Sequence, residues 1–240
     1  MNELIHREEF RSILRDYKVS SHAQTILSKT KLLLLAGVTS SGRNTVLGEL
    51  LKSGKYHYIT SNTTRKPRLN HGRIEQNGEE YWFTSEEEFL DGLRKGEYVE
   101  AAIIHDQQVS GISIGEIEIA SKEGKIAATD IEIVGVASIV DSKHDTVSVF
   151  MIPPNFQTWL ERINGRGHMA ELELRRRLNS AVKEINEALS RKYFVIVVND
   201  EFHNTAKIID NIFENTPDQE QPRVLAKKLL LDTQKFLNND

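Results

Sequence analysis

The chain has 240 residues, 39% of them hydrophobic and 28% charged, a composition typical of a soluble globular protein that buries a sizeable core. It contains no cysteine, which excludes disulfides and thiolate metal sites and agrees with a reducing compartment. The formal net charge of −4 gives no general attraction to nucleic acid or to a membrane surface, so neither is expected as a partner. No apolar run approaches the roughly 18 residues of a membrane span, and the first residues carry no signal or transit pattern, so we expect a cytoplasmic protein.

Helical appendages are predicted at both ends of the chain. Apolar residues recur at helical spacing up to Tyr17, and Ser20 or Ser21 is placed to cap a second short helix. We interpret residues 1–30 as an N-terminal helical appendage that packs on the main domain or on a partner. Residues 216–240 are interpreted as a linker and a C-terminal amphipathic helix. These terminal helices are candidates for contacts with a second copy of the chain or with another protein.

Apolar strands alternate with helices through the central part of the chain. This alternation predicts an α/β fold with a doubly wound, mainly parallel sheet, in which ligands bind beyond the carboxyl ends of the strands. We expect a main domain at 31–213 with its core at 31–60 and 124–213, and the last helix of that core at 206–213. The strands predicted for the core are 32–36, 56–60, 126–131, 146–152 and 194–198.

The segment at 61–123 interrupts this alternation with short extended pieces punctuated by glycine and proline. Ser85 and Glu88 have the pattern of a capping box, which predicts the start of a helix. Glu100 is expected at the end of the strand that follows. We interpret the segment as a small inserted α+β subdomain, and the basic, glycine-containing turn at 163–175 as an arginine-rich lid.

A glycine-containing turn follows the first predicted strand. Gly37 and Gly42 have the spacing of the pattern G-x-x-x-x-G-K-[ST], in which backbone N–H groups and a helix N-terminus bind phosphate. Arg43 stands in the place of the lysine and Asn44 in the place of the magnesium-binding hydroxyl. Thr45 cannot replace that hydroxyl, because neighbouring residues on a helix point about 100° apart. On these residues alone, the stretch is either a degenerate phosphate-binding loop (P-loop) or an ordinary strand-to-helix turn.

Two arginines follow the second predicted strand in the sequence SNTTRKPR. Pro67 restricts the backbone between Arg65 and Arg68, so the loop could present both guanidinium groups to one phosphate. The alternative is a solvated basic loop that binds no ligand.

Taken in chain order, these motifs resemble those of guanylate kinases. The residues that carry the resemblance are T-T-R-x-P-R at 63–68, G-x-x-Y-x-F at 78–83, Glu100, Asp130-Ile131-Glu132 with Gly135, Pro153-Pro154, Arg162, Gly165-Arg166-Gly167, Arg177 and Asn199-Asp200. The resemblance covers residues 32–213. It implies a nucleoside monophosphate kinase of the P-loop type that transfers the γ-phosphoryl group of ATP to GMP or dGMP, giving GDP and ADP.

The resemblance also implies roles for individual residues. Those expected to bind the ATP phosphates are Gly37, Ser40, Ser41, Gly42, Arg43, Asn44 and Thr45. Those expected to bind GMP are Arg65, Arg68 and Tyr81 on its phosphate, Ser61 and Glu100 on guanine, and Asp130. Those expected to act in catalysis are Arg43, Arg65, Arg162, Arg166 and Arg177, and Asn199 is expected near adenine.

Mg²⁺ is the cofactor that the resemblance implies. It is expected to enter with ATP and to be bound mainly by phosphate oxygens, with Asp130 as the candidate protein ligand. The eight histidines show no metal-ligand spacing, so no dedicated protein metal site is predicted.

The sequence departs from the family pattern on both substrate sides. Arg43 and Asn44 alter the ATP side, while extra residues between Arg68 and Tyr81 and the replacement of serine or threonine by Ile112 alter the acceptor side. Three hypotheses remain: an active guanylate kinase-like enzyme, a nucleotide- or protein-binding module that has lost catalysis, and a nucleotide kinase with a changed acceptor.

Overall fold

The computed structural model of the chain describes residues 4–70, 72–104, 106–165 and 169–239. The strands, in chain order, are β1 (Leu32–Gly37), β2 (Tyr56–Tyr58), β3 (Asn62–Thr63), β4 (Leu69–Asn70), β5 (Arg73–Ile74), β6 (Trp82–Phe83), β7 (Tyr98–Ile104), β8 (Gln108–Ser113), β9 (Ile126–Asp130), β10 (Val147–Ile152) and β11 (Phe194–Val198). The helices are α1 (Arg7–Arg15), α2 (Ser21–Lys29), α3 (Arg43–Lys52), α4 (Glu86–Arg94), α5 (Ile114–Lys122), α6 (Ile133–Ser142), α7 (Phe156–Asn164), α8 (Glu171–Ser190), α9 (Phe202–Asn211) and α10 (Glu220–Asn238).

The chain divides into two compact units. The first unit comprises Met1–Leu32, Tyr56–Thr129 and Ala137–Asp145. The second unit comprises Leu33–Lys55, Asp130–Val136 and Thr146–Asp240. Within the described part of the chain, no helix is both long enough and apolar enough to cross a membrane.

The second unit is built on parallel strands covered by helices. β10 lies between β1 and β11, with Leu35 opposite Val149 and Val149 opposite Val195. β1 is buried along its whole length, as expected for a strand with helices on both faces. Helix α3 packs against α9, and the C-terminal helix α10 packs against α8, α7 and β11. The predicted parallel α/β fold is confirmed.

The first unit combines a parallel pair with an antiparallel sheet. β2 and β9 are parallel, and a separate four-stranded sheet has the order β6-β3-β8-β7. The N-terminal helices pack within this unit, α1 against α4 and β7 and α2 against α5. The N-terminal appendage therefore covers the strand that contains Glu100.

Four of the ten helix starts in the described part of the chain are capped by a side chain. The hydroxyl of Ser20 accepts from the N–H of Ala23, Ser85 forms the expected capping box with Glu88, and the side chain of Asn155 caps α7. The prediction for α9 was wrong, because this helix begins earlier. The carboxylate of Glu201 accepts from two N–H groups of its first turn, and glutamate is not a preferred residue type at that position.

Two features of the first unit differ from the sequence-based expectation. Glu100 lies inside β7 instead of at the end of a strand. The segment between Arg68 and Tyr81, where no strand was assigned from the sequence, contains the hairpin β4–β5, with Leu69 opposite Ile74. Strands of two residues have no detectable periodicity, so the sequence pattern could not reveal them.

Candidate active site

The turn between β1 and α3, here called the glycine turn (residues 37–45), has the backbone geometry of an anion-binding turn. Gly42 precedes α3 with a φ of 91°, in the left-handed region that favours glycine. A Cβ atom on Gly37 would lie 2.4 Å from the carbonyl oxygen of Met151, so the turn passes too close to β10 for any side chain. The first N–H groups of α3 have no acceptor inside the helix and are available to an anion.

Two hydroxyl groups in the glycine turn support this interpretation. The Oγ atoms of Ser40 and Ser41 are buried and have no hydrogen-bond partner among the described residues. Buried hydroxyls without partners are rare in folded proteins, because each one loses its bonds to water. A phosphate oxygen at the turn would satisfy them. Asn44 and Thr45, in the first turn of α3, are exposed to solvent.

Asn199 holds the glycine turn from the end of β11. Its side-chain amide donates to the carbonyl oxygen of Ser41 at 2.7 Å, and its Oδ1 accepts from the hydroxyl of Thr205 at 2.9 Å. The side chain is buried. Asn199 was predicted near adenine, which remains a prediction, and its contacts in the structure give it a second role in fixing the turn.

Of the three arginines expected to close over the phosphates, the described part of the chain includes two. Arg162 donates to the carbonyl oxygens of Asn199 at 2.7 Å and Asp200 at 3.0 Å. Its guanidinium therefore lies at the end of β11, beside the asparagine that holds the glycine turn. Arg177 donates to Glu173 one helical turn earlier at 2.8 Å and is partly exposed. Arg166 lies outside the described residues.

Arg43 is placed among acidic groups. Its Nη1 donates to the carbonyl oxygen of Ile131 at 3.4 Å, and Ile131 donates its own N–H to Leu35 in β1. Burial and then the nearby Glu132 raise the pKa of Glu184 to about 7, and the charge of Arg43 opposes that rise. The guanidinium of Arg43 is therefore held by groups of this chain.

If the chain carries out the phosphoryl transfer that the resemblance implies, we expect Arg43→Lys not to increase its rate. A lysine ammonium carries a more compact charge. It lacks the planar guanidinium group that the neighbouring residues of Arg43 accommodate. The expected result is a kcat for phosphoryl transfer within about threefold of the parent, whereas Arg43→Ala should raise KM for ATP about tenfold or more through the lost charge. Steady-state kinetics with varied ATP measures both. A tenfold gain in kcat for Arg43→Lys would show that the arginine merely impairs the site.

Oxygen donors suited to Mg²⁺ occur in the second unit. Asp130, at the end of β9, supplies a carboxylate, the glycine turn supplies the hydroxyls of Ser40 and Ser41, and Asn44 supplies an amide oxygen. Mg²⁺ prefers such oxygen ligands and in nucleotide enzymes keeps several waters and phosphate oxygens. These residues therefore fit a metal ion that enters with ATP.

In the first unit, Arg65 is held in a fixed orientation. Its guanidinium forms a two-pronged ion pair with Glu75 at 2.5 and 2.9 Å, and it lies over the ring of Tyr81, 4.6 Å from the centroid. The Arg65 hydrogen bond is the main cause that lowers the pKa of Glu75 below its usual value. Glu75 also accepts from the backbone N–H of Arg68 at 2.9 Å, while the Arg68 side chain is exposed. The structure thus brings the three predicted phosphate-binding residues together.

Sequence analysis missed Glu75 as a site residue. Its position between the two arginines and Tyr81 is the only local signal, and one acidic residue in a segment that also contains Glu79 and Glu80 does not stand out. Its burial at 8% relative exposure distinguishes it from its neighbours, but only in the folded chain.

Glu100 lies in the antiparallel sheet, and Ser61, the other residue predicted to read guanine, directly precedes β3 of that sheet. Glu100 is opposite Ile112 in β8, and Asn62 in β3 is opposite Gly111. One step along the same register, Ser61 falls opposite Ile112. Residues in one row point to the same face of a sheet and are spaced about 4.8 Å per strand, so Ile112 lies between Ser61 and Glu100.

The carboxylate of Glu100 is partly buried and receives no hydrogen bond from the part of the chain that the structure describes. Burial alone raises its pKa to about 7. A carboxylate in this state is an acceptor without a donor, which two N–H groups of a bound ligand could satisfy.

This pKa predicts a stability that depends on pH. The folded-state pKa lies above the ordinary value of 4.5, so the buried charged carboxylate destabilises the folded state. This destabilisation is complete above pH 7 and disappears as the pH falls below 4.5. Glu100→Gln should therefore raise the free energy of unfolding by about 2–4 kcal/mol at pH 8 and by almost nothing at pH 4. Denaturant unfolding at both values measures this, with the exposed Glu97→Gln as the control. An equal gain at both pH values would contradict the assignment.

Comparison with known proteins gives one family. Residues 29–216 match the family model described as guanylate kinase. A guanylate kinase of Clostridium tetani is 32% identical over 186 residues, which cover 78% of this chain and 86% of that protein. A guanylate kinase of Helicobacter pylori is 35% identical over 182 residues, 75% of this chain and 85% of that protein. The crystal structure of guanylate kinase from Anaplasma phagocytophilum superposes with a TM-score of 0.57 at 25% identity, covering 88% of this chain and 97% of that one.

Proposed function

Because this chain belongs to the guanylate kinase family, we propose that it is an ATP-dependent nucleoside monophosphate kinase that transfers the γ-phosphoryl group of ATP to GMP or dGMP. With GMP the products are GDP and ADP. In this proposal the glycine turn is the P-loop that binds ATP, and the segment at 61–123 binds the acceptor. The reaction takes place in the cytoplasm.

The observation that carries the choice of acceptor is the unpaired, partly buried carboxylate of Glu100. Guanine offers N1–H and its 2-amino group on one edge, and adenine has neither donor there. Binding adenine would leave the carboxylate unsatisfied, at a cost of about 1–3 kcal/mol or more for a charged group. Ser61, on the same row of the sheet, supplies a hydroxyl for the remaining polar edge of the base.

The phosphate of the acceptor binds at Arg65, Arg68 and Tyr81. Glu75 keeps the Arg65 guanidinium in one orientation, so little side-chain entropy is lost when the phosphate binds. The exposed Arg68 adds a second charge, and the Tyr81 hydroxyl can donate to a phosphate oxygen.

The chemical step needs positioning and charge neutralisation more than covalent participation by the protein. An oxygen of the acceptor phosphate attacks the γ-phosphorus, the bond to the bridging oxygen breaks, and ADP leaves. Arg162, Arg166 and Arg177 neutralise charge on the transferred group, with 163–175 acting as a lid, and the N–H groups and hydroxyls of the glycine turn hold the donor phosphates. Asp130 would hold a Mg²⁺ ion that enters with ATP, and the ion would supply further neutralisation of phosphate charge.

The test is ADP release measured with ATP, Mg²⁺ and each nucleoside monophosphate in turn. GMP should give the highest kcat/KM, and AMP should be poorer by about 10²-fold or more if Glu100 reads the base. If no monophosphate exceeds the rate without acceptor, the kinase proposal is wrong. In that case, tight binding of GMP in a calorimetric titration indicates a binding module. If instead another monophosphate is turned over and GMP gives no heat of binding, the acceptor has changed.

A further inference from the structure

A β-bulge interrupts β7 immediately before Glu100. Tyr98 is opposite Ser113 of β8, whereas Glu100 is opposite Ile112, so Val99 is an extra residue in β7. Ser113 and Ile112 are neighbours in β8 and point to opposite faces of the sheet. Because residues opposite each other share a face, Tyr98 and Glu100 point to opposite faces although they are two positions apart.

The packing beyond the bulge agrees with this shifted alternation. Tyr98 belongs to an apolar cluster with Phe10 of α1, and Ala101 and Ile103 pack against the same cluster. In an uninterrupted strand, the face that holds Tyr98 would also receive Glu100, and its carboxylate would be directed into that cluster. The bulge therefore turns Glu100 away from the apolar cluster and toward the face of Ser61.

The hydroxyl of Tyr17 fixes the backbone at this bulge. It donates to the carbonyl oxygen of Tyr98 at 2.6 Å and accepts from the N–H of the same residue at 2.9 Å. β7 is the edge strand of its four-stranded sheet, so no other strand among the described residues pairs with these outward-facing groups. The ring of Tyr98 is stacked on Phe89, with centroids 4.1 Å apart, which leaves little freedom on the other side.

The segment that carries Tyr17 is itself anchored to the first unit on several sides. The N–H of His6 donates to Glu86 of α4 at 2.8 Å, and Arg94 of the same helix pairs with Glu9. Ser20, after Tyr17, donates its N–H to the carbonyl oxygen of Gly96 at 3.1 Å. The Tyr17 hydroxyl is consequently held at a fixed position beside the bulge.

We propose that Tyr17 is a positioning residue for acceptor recognition, whose hydroxyl holds the bulge that directs Glu100 toward guanine. The inference rests on the proposed function, since it takes guanine as the ligand of Glu100. Tyr17 precedes the matched residues 29–216, so the N-terminal appendage contributes to the specificity of a site that lies within the family domain.

The test uses Tyr17→Phe, which keeps the ring and removes both hydrogen bonds. KM and calorimetric Kd for GMP should rise about fivefold to tenfold, the effect of losing a hydrogen bond that positions a charged group. KM for ATP should stay within about twofold, because the glycine turn belongs to the second unit, and kcat should change little, since this loss affects binding. The preference for GMP over AMP should fall by a similar factor. Leu14→Ala is the matched control, because it removes packing from the same apolar cluster without touching the Tyr98 backbone.

The outcomes separate this inference from the proposed function. If the parent protein turns over GMP but Tyr17→Phe leaves its KM and Kd unchanged, or if Leu14→Ala raises them equally, the positioning role is refuted. Failure of the parent itself to phosphorylate GMP refutes the proposed function, and the ratio of GMP affinities still decides the role of Tyr17. Should Tyr17→Phe not fold, hydrogen exchange of the unmodified protein is decisive. The Tyr98 amide should be protected like the β7–β8 ladder, and free exchange would refute the contact.

Discussion

Arg65→Ala is expected to lower kcat/KM for GMP by about 10²–10³-fold, the usual effect of removing a preorganised charge from a phosphate site. Arg65 already has its orientation fixed by Glu75 and by the ring of Tyr81, so the substitution removes a prepared interaction. Initial rates at varied GMP and saturating ATP measure the effect. KM for ATP should remain near the parent value.

The same substitution should also destabilise the fold. Glu75 is buried, and among the described residues its carboxylate without Arg65 keeps the N–H of Arg68 as its one donor, at 2.9 Å. Removing one partner of a buried ion pair costs about 3–5 kcal/mol, because the other charge is left uncompensated. Activity must therefore be measured well below the unfolding transition.

A double variant distinguishes recognition from stability. Arg65→Ala combined with Glu75→Gln removes the orphaned charge and should recover much of the free energy of unfolding, yet kcat/KM for GMP should stay low. Arg73→Ala is the matched control. This exposed arginine of the β4–β5 hairpin pairs with Glu79 and Glu80, and its loss should change kcat/KM less than twofold. Recovery of activity together with stability in the double variant would mean that Arg65 has no direct role at the phosphate.

The elements of this fold were largely predictable, because their signals are local. Apolar β1, the capping groups of Ser20, Ser85 and Asn155, and the alternation of strands and helices are all readable within short windows of sequence. The resemblance of ordered motifs then gave the family, and the family model confirms it.

The contacts that organise the site were not predictable, because they join distant residues without a periodic signal. The Tyr17 hydroxyl meets the Tyr98 backbone across the first unit, and Asn199 reaches back to the glycine turn at Ser41. A bulge of one residue at Val99 leaves no trace in the composition of β7. Sequence patterns thus predicted which side chains bind the substrates, and the folded chain shows the contacts that orient Arg65 and Asn199.

A substitution in the glycine turn is the second change from which we expect a large effect. The geometry of this turn also explains why Arg43 and Asn44, which depart from the P-loop pattern, need not abolish a phosphate site. The backbone of this turn requires glycine at two positions, and both glycines are present. Gly37 packs against β10, and Gly42 has a left-handed φ. Arg43 and Asn44 change side chains at the start of α3 but not the N–H groups that face an anion. Under the proposed function we therefore expect the backbone to bind phosphate despite these substitutions, and we expect a side chain at Gly42 to disrupt that binding.

Gly42→Ala is expected to raise KM for ATP at least tenfold and to lower kcat/KM for ATP by about 10²-fold. A Cβ atom at this position would lie 2.3 Å from Nδ2 of Asn199, the atom that holds the carbonyl of Ser41. The residue would also have to keep a φ of 91°, which costs a residue with a side chain about 1–2 kcal/mol. Both effects displace the glycine turn, and with it the hydroxyls and N–H groups that are proposed to bind phosphate.

The control for this variant is Gly48→Ala, in the middle of the same helix α3, where an added Cβ atom meets nothing within 4 Å. It should leave kinetics unchanged and stabilise the helix by up to about 1 kcal/mol. The GMP affinity of Gly42→Ala, measured by calorimetry without ATP, should equal that of the parent, because the residues predicted to bind guanine and the acceptor phosphate belong to the first unit. Combining Gly42→Ala with Asn199→Ala relieves the steric overlap but leaves the strained φ and removes the anchor of Ser41, so ATP binding should stay impaired. A double variant with parental KM for ATP would show that steric overlap alone, and neither φ nor the Asn199 anchor, makes Gly42 necessary.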